Sequence, residues 1–355
     1  TGGGRPGQLE RTPPIGPWLA TGPGLLALGR FAGTGSRRSV RADSGFELGE
    51  AGPQLGELGV QVVVHEAPPR SRGAASVPPI VSGREAGRVP EGDTIHRTAA
   101  RLRPALTGRR LVRFEAPRVP RPHPPPGTVV DAVEARGKHL LIRFSTGEVL
   151  ETHLRMTGSW HLYRPGARWA KPAQRARAVL EVEGLEVEGL EVDGWVAVCF
   201  SAPVVRLTTT PATGHLGPDL CLPEADLEEV VRRMGSVPEP GTALADVLLD
   251  QRICCGVGNV YKSEVCFACG VHPLTPVERV GTDARRRLAA TAHRLLRANL
   301  GGGPRTTVPG PPGGLAVYGR ARRPCRRCGT PIVGARTGPQ ARATFWCPRC
   351  QPEPP

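Results

Sequence analysis

Four cysteines near the end of the chain carry the most specific chemical signal. Cys325, Cys328, Cys347 and Cys350 are spaced C-x2-C-x18-C-x2-C. Each C-x2-C pair puts two thiolates on one tight turn, and two such turns complete a tetrahedral zinc shell. Four sulfur ligands leave no open coordination position, so the spacing predicts one structural Zn2+ rather than a catalytic metal. A disulfide framework would spread its cysteines along the chain, whereas none of the ten here precedes Cys199. Cys266 and Cys269 form another C-x2-C, but no second pair matches it, and in the apolar run VCFAC they read as free thiols packed as small hydrophobes. Tyr318–Cys350 also holds eight arginines and no acidic residue. Such a density opposes the folding of a small module unless a metal or a polyanion offsets it, and DNA phosphate is the natural polyanion.

The whole composition points the same way. A formal charge of +15 favours a polyanionic partner, nucleic acid before an acidic membrane. No run of 18 apolar residues suggests a membrane span. Trp18–Phe31 is mildly apolar but lacks a basic start and a clear cleavage site, so it is a poor signal peptide, and the expected location is the cytoplasm. High Gly (46) and Pro (39) with 4% aromatics predicts disorder somewhere in the chain.

Residues 1–88 are where that bias concentrates, with only Val60–Val64 reading as a strand. The segment reads as disordered or as foreign to the natural protein. After Val89 the pattern becomes regular. Asp93 and Thr94 are N-cap candidates, followed by Ile95, Ala99, Leu102 and Leu106 at helical spacing. Short Val/Leu/Ile-rich strands are expected at Val129–Ala135, Lys138–Phe144, Glu148–Leu154 and Ser159–Tyr163, parted by glycine turns. Pro117–Gly127 is a loop, and the tandem EVEGL-EVEGL-EVDGW over 181–195 reads as an enlarged hairpin without a function of its own. From Pro223 the periodicity turns helical: one stripe through Leu227, Val230, Val231 and Met234, another through Leu244, Val247 and Leu248, and a third helix over Thr282–Leu300. Gly301–Gly314 is a Gly/Pro loop leading to the cysteines.

Four blocks can then be read in order: Pro90-Glu91-Gly92-Asp93-Thr94; Arg136-Gly137-Lys138-His139-Leu140-Leu141; Leu249-Asp250-Gln251-Arg252 with Gly256-Val257-Gly258-Asn259-Val260-Tyr261; and Tyr318-Gly319-Arg320 with the four cysteines and Ala341–Cys347. In order and spacing they resemble the formamidopyrimidine-DNA glycosylase / endonuclease VIII family over about residues 90–351. The resemblance implies an α+β multidomain fold: an N-terminal β-sandwich with an active-site helix, a helix–two-turn–helix domain and a C-terminal four-cysteine zinc ribbon, with damaged DNA in the cleft. The expected bounds are an extension over 1–89, a catalytic domain over 90–220, the helical domain over 221–300, and loop plus ribbon over 301–355.

The resemblance also implies a base-excision glycosylase with AP-lyase activity, acting as a monomer through an iminium on the amine of Pro90. A free α-amine titrates near 7.7–8 against about 10.4 for lysine, so more of it is unprotonated at neutral pH, and the nearby helix start adds positive potential. Attack at the sugar C1′ gives a cation that acts as an electron sink for β,δ-elimination. Glu91 matches the general acid/base, the bland alternative being a helix-dipole carboxylate. Lys138 matches a strand-borne phosphate contact. Asn259, opening a helix after a glycine turn, can hold a phosphate or act as a plain N-cap. Arg342 matches the hairpin arginine at the phosphate beside the lesion, Tyr318 a further phosphate contact, and Met156 the side chain that fills the hole left by the flipped nucleotide, although a lone Met is more often core.

Departures refine this. Where members that excise oxidised purines carry Asp-Pro-Arg-Arg-Phe, this chain reads Cys199–Arg206, and the wedge residues that accompany the methionine are not recognisable. Both tilt the reading to the endonuclease VIII-like branch and to oxidised pyrimidines. A second acidic residue of many members falls at Thr94. Pro90 is internal as written, and a peptide-bonded proline nitrogen has no usable lone pair. The expectation is that translation starts at Val89, from a GTG codon read as Met and then removed. The alternatives are a non-catalytic DNA-binding zinc protein of the same fold, which would not need Pro90-Glu91 with Lys138, and an RNA-binding zinc protein, against which the first two blocks argue.

Overall fold

The computed structural model describes residues 90–187, 190–308, 310 and 314–353. The extension over 1–89 and its expected strand Val60–Val64 lie outside these residues. Helix α1 (Gly92–Leu106) opens the ordered pattern and buries Ile95, Ala99, Leu102 and Leu106 on one face. It starts one residue before Asp93, and neither expected cap acts as one: Glu91 occupies the N-cap with no side-chain bond there. The carboxylate of Asp93 is instead committed to Tyr261 and Arg305.

Ten strands follow: β1 (Leu111–Glu115), β2 (Val130–Arg136), β3 (His139–Phe144), β4 (Val149–His153), β5 (Ser159–Tyr163), β6 (Ala176–Val182), β7 (Leu185–Val187), β8 (Leu190–Val192), β9 (Trp195–Phe200) and β10 (Val204–Thr208). Eight of them form two antiparallel four-stranded sheets, ordered β1-β6-β9-β5 and β10-β4-β3-β2. Their inner faces share a core of Leu111, Val133, Leu140, Ile142, Leu150 and Leu180, a β-sandwich as expected. The EVEGL repeat supplies the paired β7 and β8 between β6 and β9, which extends the hairpin as expected.

The helical part comprises α2 (Leu227–Gly235), α3 (Leu244–Leu249), α4 (Asn259–Cys269) and α5 (Thr282–Ala298) around a core of its own. Asp226 caps α2 by accepting the Glu229 N–H at 2.9 Å. α5 stops two residues short of the expected Leu300, because the side chain of Asn299 turns to bond Leu295 and Thr306. A final hairpin, β11 (Val333–Thr337) with β12 (Arg342–Trp346), accompanies the cysteine cluster.

α4 joins these parts. At its start it receives Glu91. Near its middle the buried carboxylate of Glu264 accepts the N–H groups of Ala316, Val317 and Tyr318 at 2.7–2.9 Å, which fixes the approach to the cysteine module. Phe345 of β12 donates its N–H to Ser263 at 3.3 Å. Among the described residues no helix is long and apolar enough to cross a membrane.

Candidate active site

A cleft of about 820 Å³ lies where α1, the β2–β3 turn, the start of α4 and the β11–β12 hairpin meet. Six of the residues singled out in the sequence line it: Pro90, Glu91, Lys138, Met156, Asn259 and Arg342. Met156 is 63% exposed, so it is a projecting side chain and no part of the core. Tyr318 is not in the lining. Its ring meets Phe345 edge-on at 5.0 Å, and its backbone is held by Glu264.

Glu91 is fully buried, and its carboxylate is not spent on α1. It accepts N–H bonds from Gly258 at 3.0 Å, Val260 at 2.8 Å and Tyr261 at 3.2 Å, the free donors at the start of α4. A helix-dipole carboxylate is therefore present, at a helix remote in sequence. Burial pushes the Glu91 carboxyl above its usual range, against the opposing pull of Arg305, Lys138 and the Val260 N–H. A carboxyl raised in this way can hold a proton for delivery.

Two glycine contacts make this packing possible. A Cβ on Gly258 would stand 2.5 Å from the Glu91 Cδ, and one on Gly92 would stand 2.6 Å from the Gly256 Cα. The Gly92 N–H donates to the Gly256 carbonyl at 2.8 Å. The glycines of PEGD and GVGN thus face one another.

Lys138 follows the left-handed Gly137 (φ 58°) and makes no hydrogen bond or salt bridge among the described residues. Burial lowers the proton affinity of its amine, with the charge of Glu91 opposing. His153, also in the lining, is driven down to about 4 by burial and then by His139, Lys138 and Arg155, so it is neutral at physiological pH. Asn259 is the first residue of α4 and the cap position belongs to Gly258. Its side-chain oxygen is buried without a partner among the described residues, an acceptor left open to a donor group.

Sequence reasoning missed Asp93 and Arg305. Arg305 donates to both oxygens of Asp93, through Nε at 2.7 Å and Nη2 at 2.5 Å, and its guanidinium lies 5.0 Å from the Tyr261 ring centre. The second acidic group absent at Thr94 thus has a buried counterpart one residue earlier. Arg305 sits in a Gly/Pro loop without periodicity, so no local signal marks it.

The four cysteines come together as their spacing predicts. Their sulfurs lie within 4.8 Å of one another, with Cys328–Cys347 and Cys328–Cys350 at 3.5 Å and Cys325–Cys350 at 3.9 Å. Tetrahedral Zn–S bonds of about 2.3 Å place sulfurs about 3.8 Å apart, so the donor set and spacing fit zinc. Cys266 is buried and free, its thiol pushed up to about 12 by burial, while Cys269 is free and half-buried.

Comparison with known proteins agrees with this arrangement. The model of the formamidopyrimidine-DNA glycosylase N-terminal domain matches residues 89–192, and that of the formamidopyrimidine-DNA glycosylase H2TH domain matches 216–308. The "Probable endonuclease 8 2" of Streptomyces coelicolor is 42% identical over 275 residues, covering 75% of this chain and 95% of that protein. The chain belongs to the formamidopyrimidine-DNA glycosylase / endonuclease VIII family. Another relative in this family, the "DNA-(apurinic or apyrimidinic site) lyase Nei2" of Mycolicibacterium smegmatis, is 41% identical over 267 residues, 74% of this chain and 99% of that one. The crystal structure of the MutM (Fpg) protein from Thermus thermophilus superposes with a TM-score of 0.59 at 28% identity, covering 75% of this chain and all of that one. The identity of 40–42% to proteins named endonuclease 8 puts the chain on the endonuclease VIII side of the family.

Proposed function

We propose that this chain is a base-excision repair DNA glycosylase with AP-lyase activity, acting as a monomer on oxidised bases in DNA, pyrimidines foremost. The convergence of Pro90, Glu91 and Lys138 in one cleft carries the reading. The Pro90 nitrogen attacks C1′ as the bond from C1′ to the damaged base breaks, the base leaving with a proton and the amine losing its own. Glu91 then gives a proton to the sugar ring oxygen as the C1′–O4′ bond breaks, which opens the ring and leaves an iminium between Pro90 and C1′. The resulting iminium draws electrons from C2′ as a proton leaves there, and the 3′ phosphate departs. A second elimination releases the 5′ phosphate. Lys138, Asn259 and Arg342 hold phosphates, and Met156 fills the space vacated by the flipped nucleotide. Tyr318 contributes to the phosphate surface from outside the cleft. The four cysteines hold one Zn2+, which orders the loop and hairpin bearing Arg342 and takes no part in the chemistry.

The proposal requires a free Pro90 amine, supplied by initiation at Val89 and removal of the first residue. Intact-mass measurement of the protein from its source tests this directly. Borohydride trapping tests the chemistry, using abasic-site and oxidised-pyrimidine duplexes with two proteins, one beginning at Pro90 and one carrying residues 1–89. A covalent adduct is expected with the first alone. Equal trapping by both would exclude Pro90 as the nucleophile, and no adduct with either would favour a non-catalytic DNA binder.

A further inference from the structure

Asp219, between β10 and α2, has a buried side chain that ties together two of the elements walling the cleft, the β2–β3 turn and α1. Its Oδ2 accepts the N–H of Gly137 at 2.7 Å and lies 3.0 Å from His96 Nε2 on α1. Its Oδ1 accepts the Cys221 N–H at 2.9 Å. Gly137 immediately precedes Lys138, is left-handed, and has no room for a Cβ, which would lie 2.9 Å from that of Cys255. Arg136, on the other side of the turn, donates to the Gly217 carbonyl at 3.1 Å. The main chain around Asp219 in turn pairs with Cys255: its N–H donates to Pro218 at 2.9 Å, and Leu220 donates to its carbonyl at 3.2 Å. Cys255 leads directly into the Gly256–Asn259 turn.

We propose that Asp219 is a positioning residue, which locks the Gly137 turn to α1 and the Gly256–Asn259 turn so that Lys138 faces the cleft. Lys138 has no side-chain partner of its own among the described residues, so its placement depends on its backbone, and Asp219 holds that backbone. The inference rests on the DNA-repair reading of the cleft, in which Lys138 meets a phosphate.

Charge and geometry predict opposite signs here, which makes the test decisive. Asp219 is an anion close to a surface that binds a polyanion. On electrostatics alone, Asp219→Asn should leave DNA binding unchanged or tighten it. Positioning predicts a loss. The measurement is affinity of the protein beginning at Pro90 for a duplex containing a tetrahydrofuran abasic-site analogue, over a range of salt, for wild type, D219N, K138A and the double variant. D219N is expected to weaken binding about fivefold or more and to lower the salt slope by about one, as loss of one phosphate contact does. In the K138A background it should change affinity less than twofold, because contacts acting through one residue are not additive. Unchanged or tighter binding by folded D219N, or the same loss with and without Lys138, overturns the proposal. If D219N fails a circular-dichroism check of folding, D219E keeps the charge, shifts the turn by one methylene, and is subject to the same criteria in the same cycle. Wild-type protein that does not bind the duplex refutes the repair reading and this inference with it. Binding that K138A weakens upholds that reading whatever D219N does.

Discussion

Glu91 sits at the start of α4 with three N–H donors around its carboxylate and a glycine hydrogen where any side chain would collide. Two substitutions at sites remote in sequence should therefore have the same effect. Glu91→Gln removes the proton donor, and the expected fall in single-turnover base excision is about 10²–10⁴-fold, the usual range for a general acid. Gly258→Ala leaves Glu91 in the chain but drives a methyl into its carboxylate, so excision should fall by a similar factor in protein that still binds zinc. A Gly258→Ala enzyme within about threefold of wild type would show that the location of Glu91 is unimportant. The sequence named Glu91 through its motif, yet it did not tell which helix the carboxylate serves. That depends on a contact between distant segments, and spacing along the chain records only near neighbours. Arg305 and Asp219 were illegible for the same reason, since each acts through partners on other elements.

At the level of elements, what could be read was whatever repeats locally. The 3.6-residue stripes of α1, α2, α3 and α5 and the short apolar runs of β2–β5 were each placed within about two residues, because burial of one face imposes the period. Element ends were less legible: Asn299 ends α5 through side-chain bonds to its own loop, which a hydrophobic pattern does not encode. The hairpin of β11 and β12 has a different dependence. Its first strand is largely exposed and its second mostly half-buried, and Arg342 projects from it into the cleft. The small core beneath includes Phe267, Ala316, Val317, Ile332 and the cysteines. Removing zinc with a chelator should consequently abolish binding to abasic-site DNA while α2–α5, with their separate core, keep their helical signal. Restored binding on adding back one equivalent of zinc checks it by titration. Retention of full affinity without metal would argue against the zinc assignment.

Across the whole molecule, acidification should weaken the fold before it affects the arginine-rich surface. His161 is buried between Ser159 and Tyr163, and burial, with Lys171 adding to it, holds its imidazole down to about 4. Its folded value lies below the unfolded 6.5, so the unfolded chain takes up more protons between these limits. Stability from this group is present above pH 6.5 and is lost as pH falls towards 4. Urea midpoints measured at pH 7.5, 6 and 5 should decline, and His161→Gln should flatten the decline; an unchanged slope would assign it to other groups. The bonds from Gly258, Val260 and Tyr261 to Glu91 have a separate implication for how such a protein can be rebuilt. The carboxylate comes from the sandwich half and its environment from the helical half, so neither half contains a finished acid. A chimera that joins the sandwich of one relative to the helices of another must therefore match at Gly92, Gly256 and Gly258 before it can match in substrate preference. Modular exchange, natural or engineered, is limited here by a side chain that both halves must share.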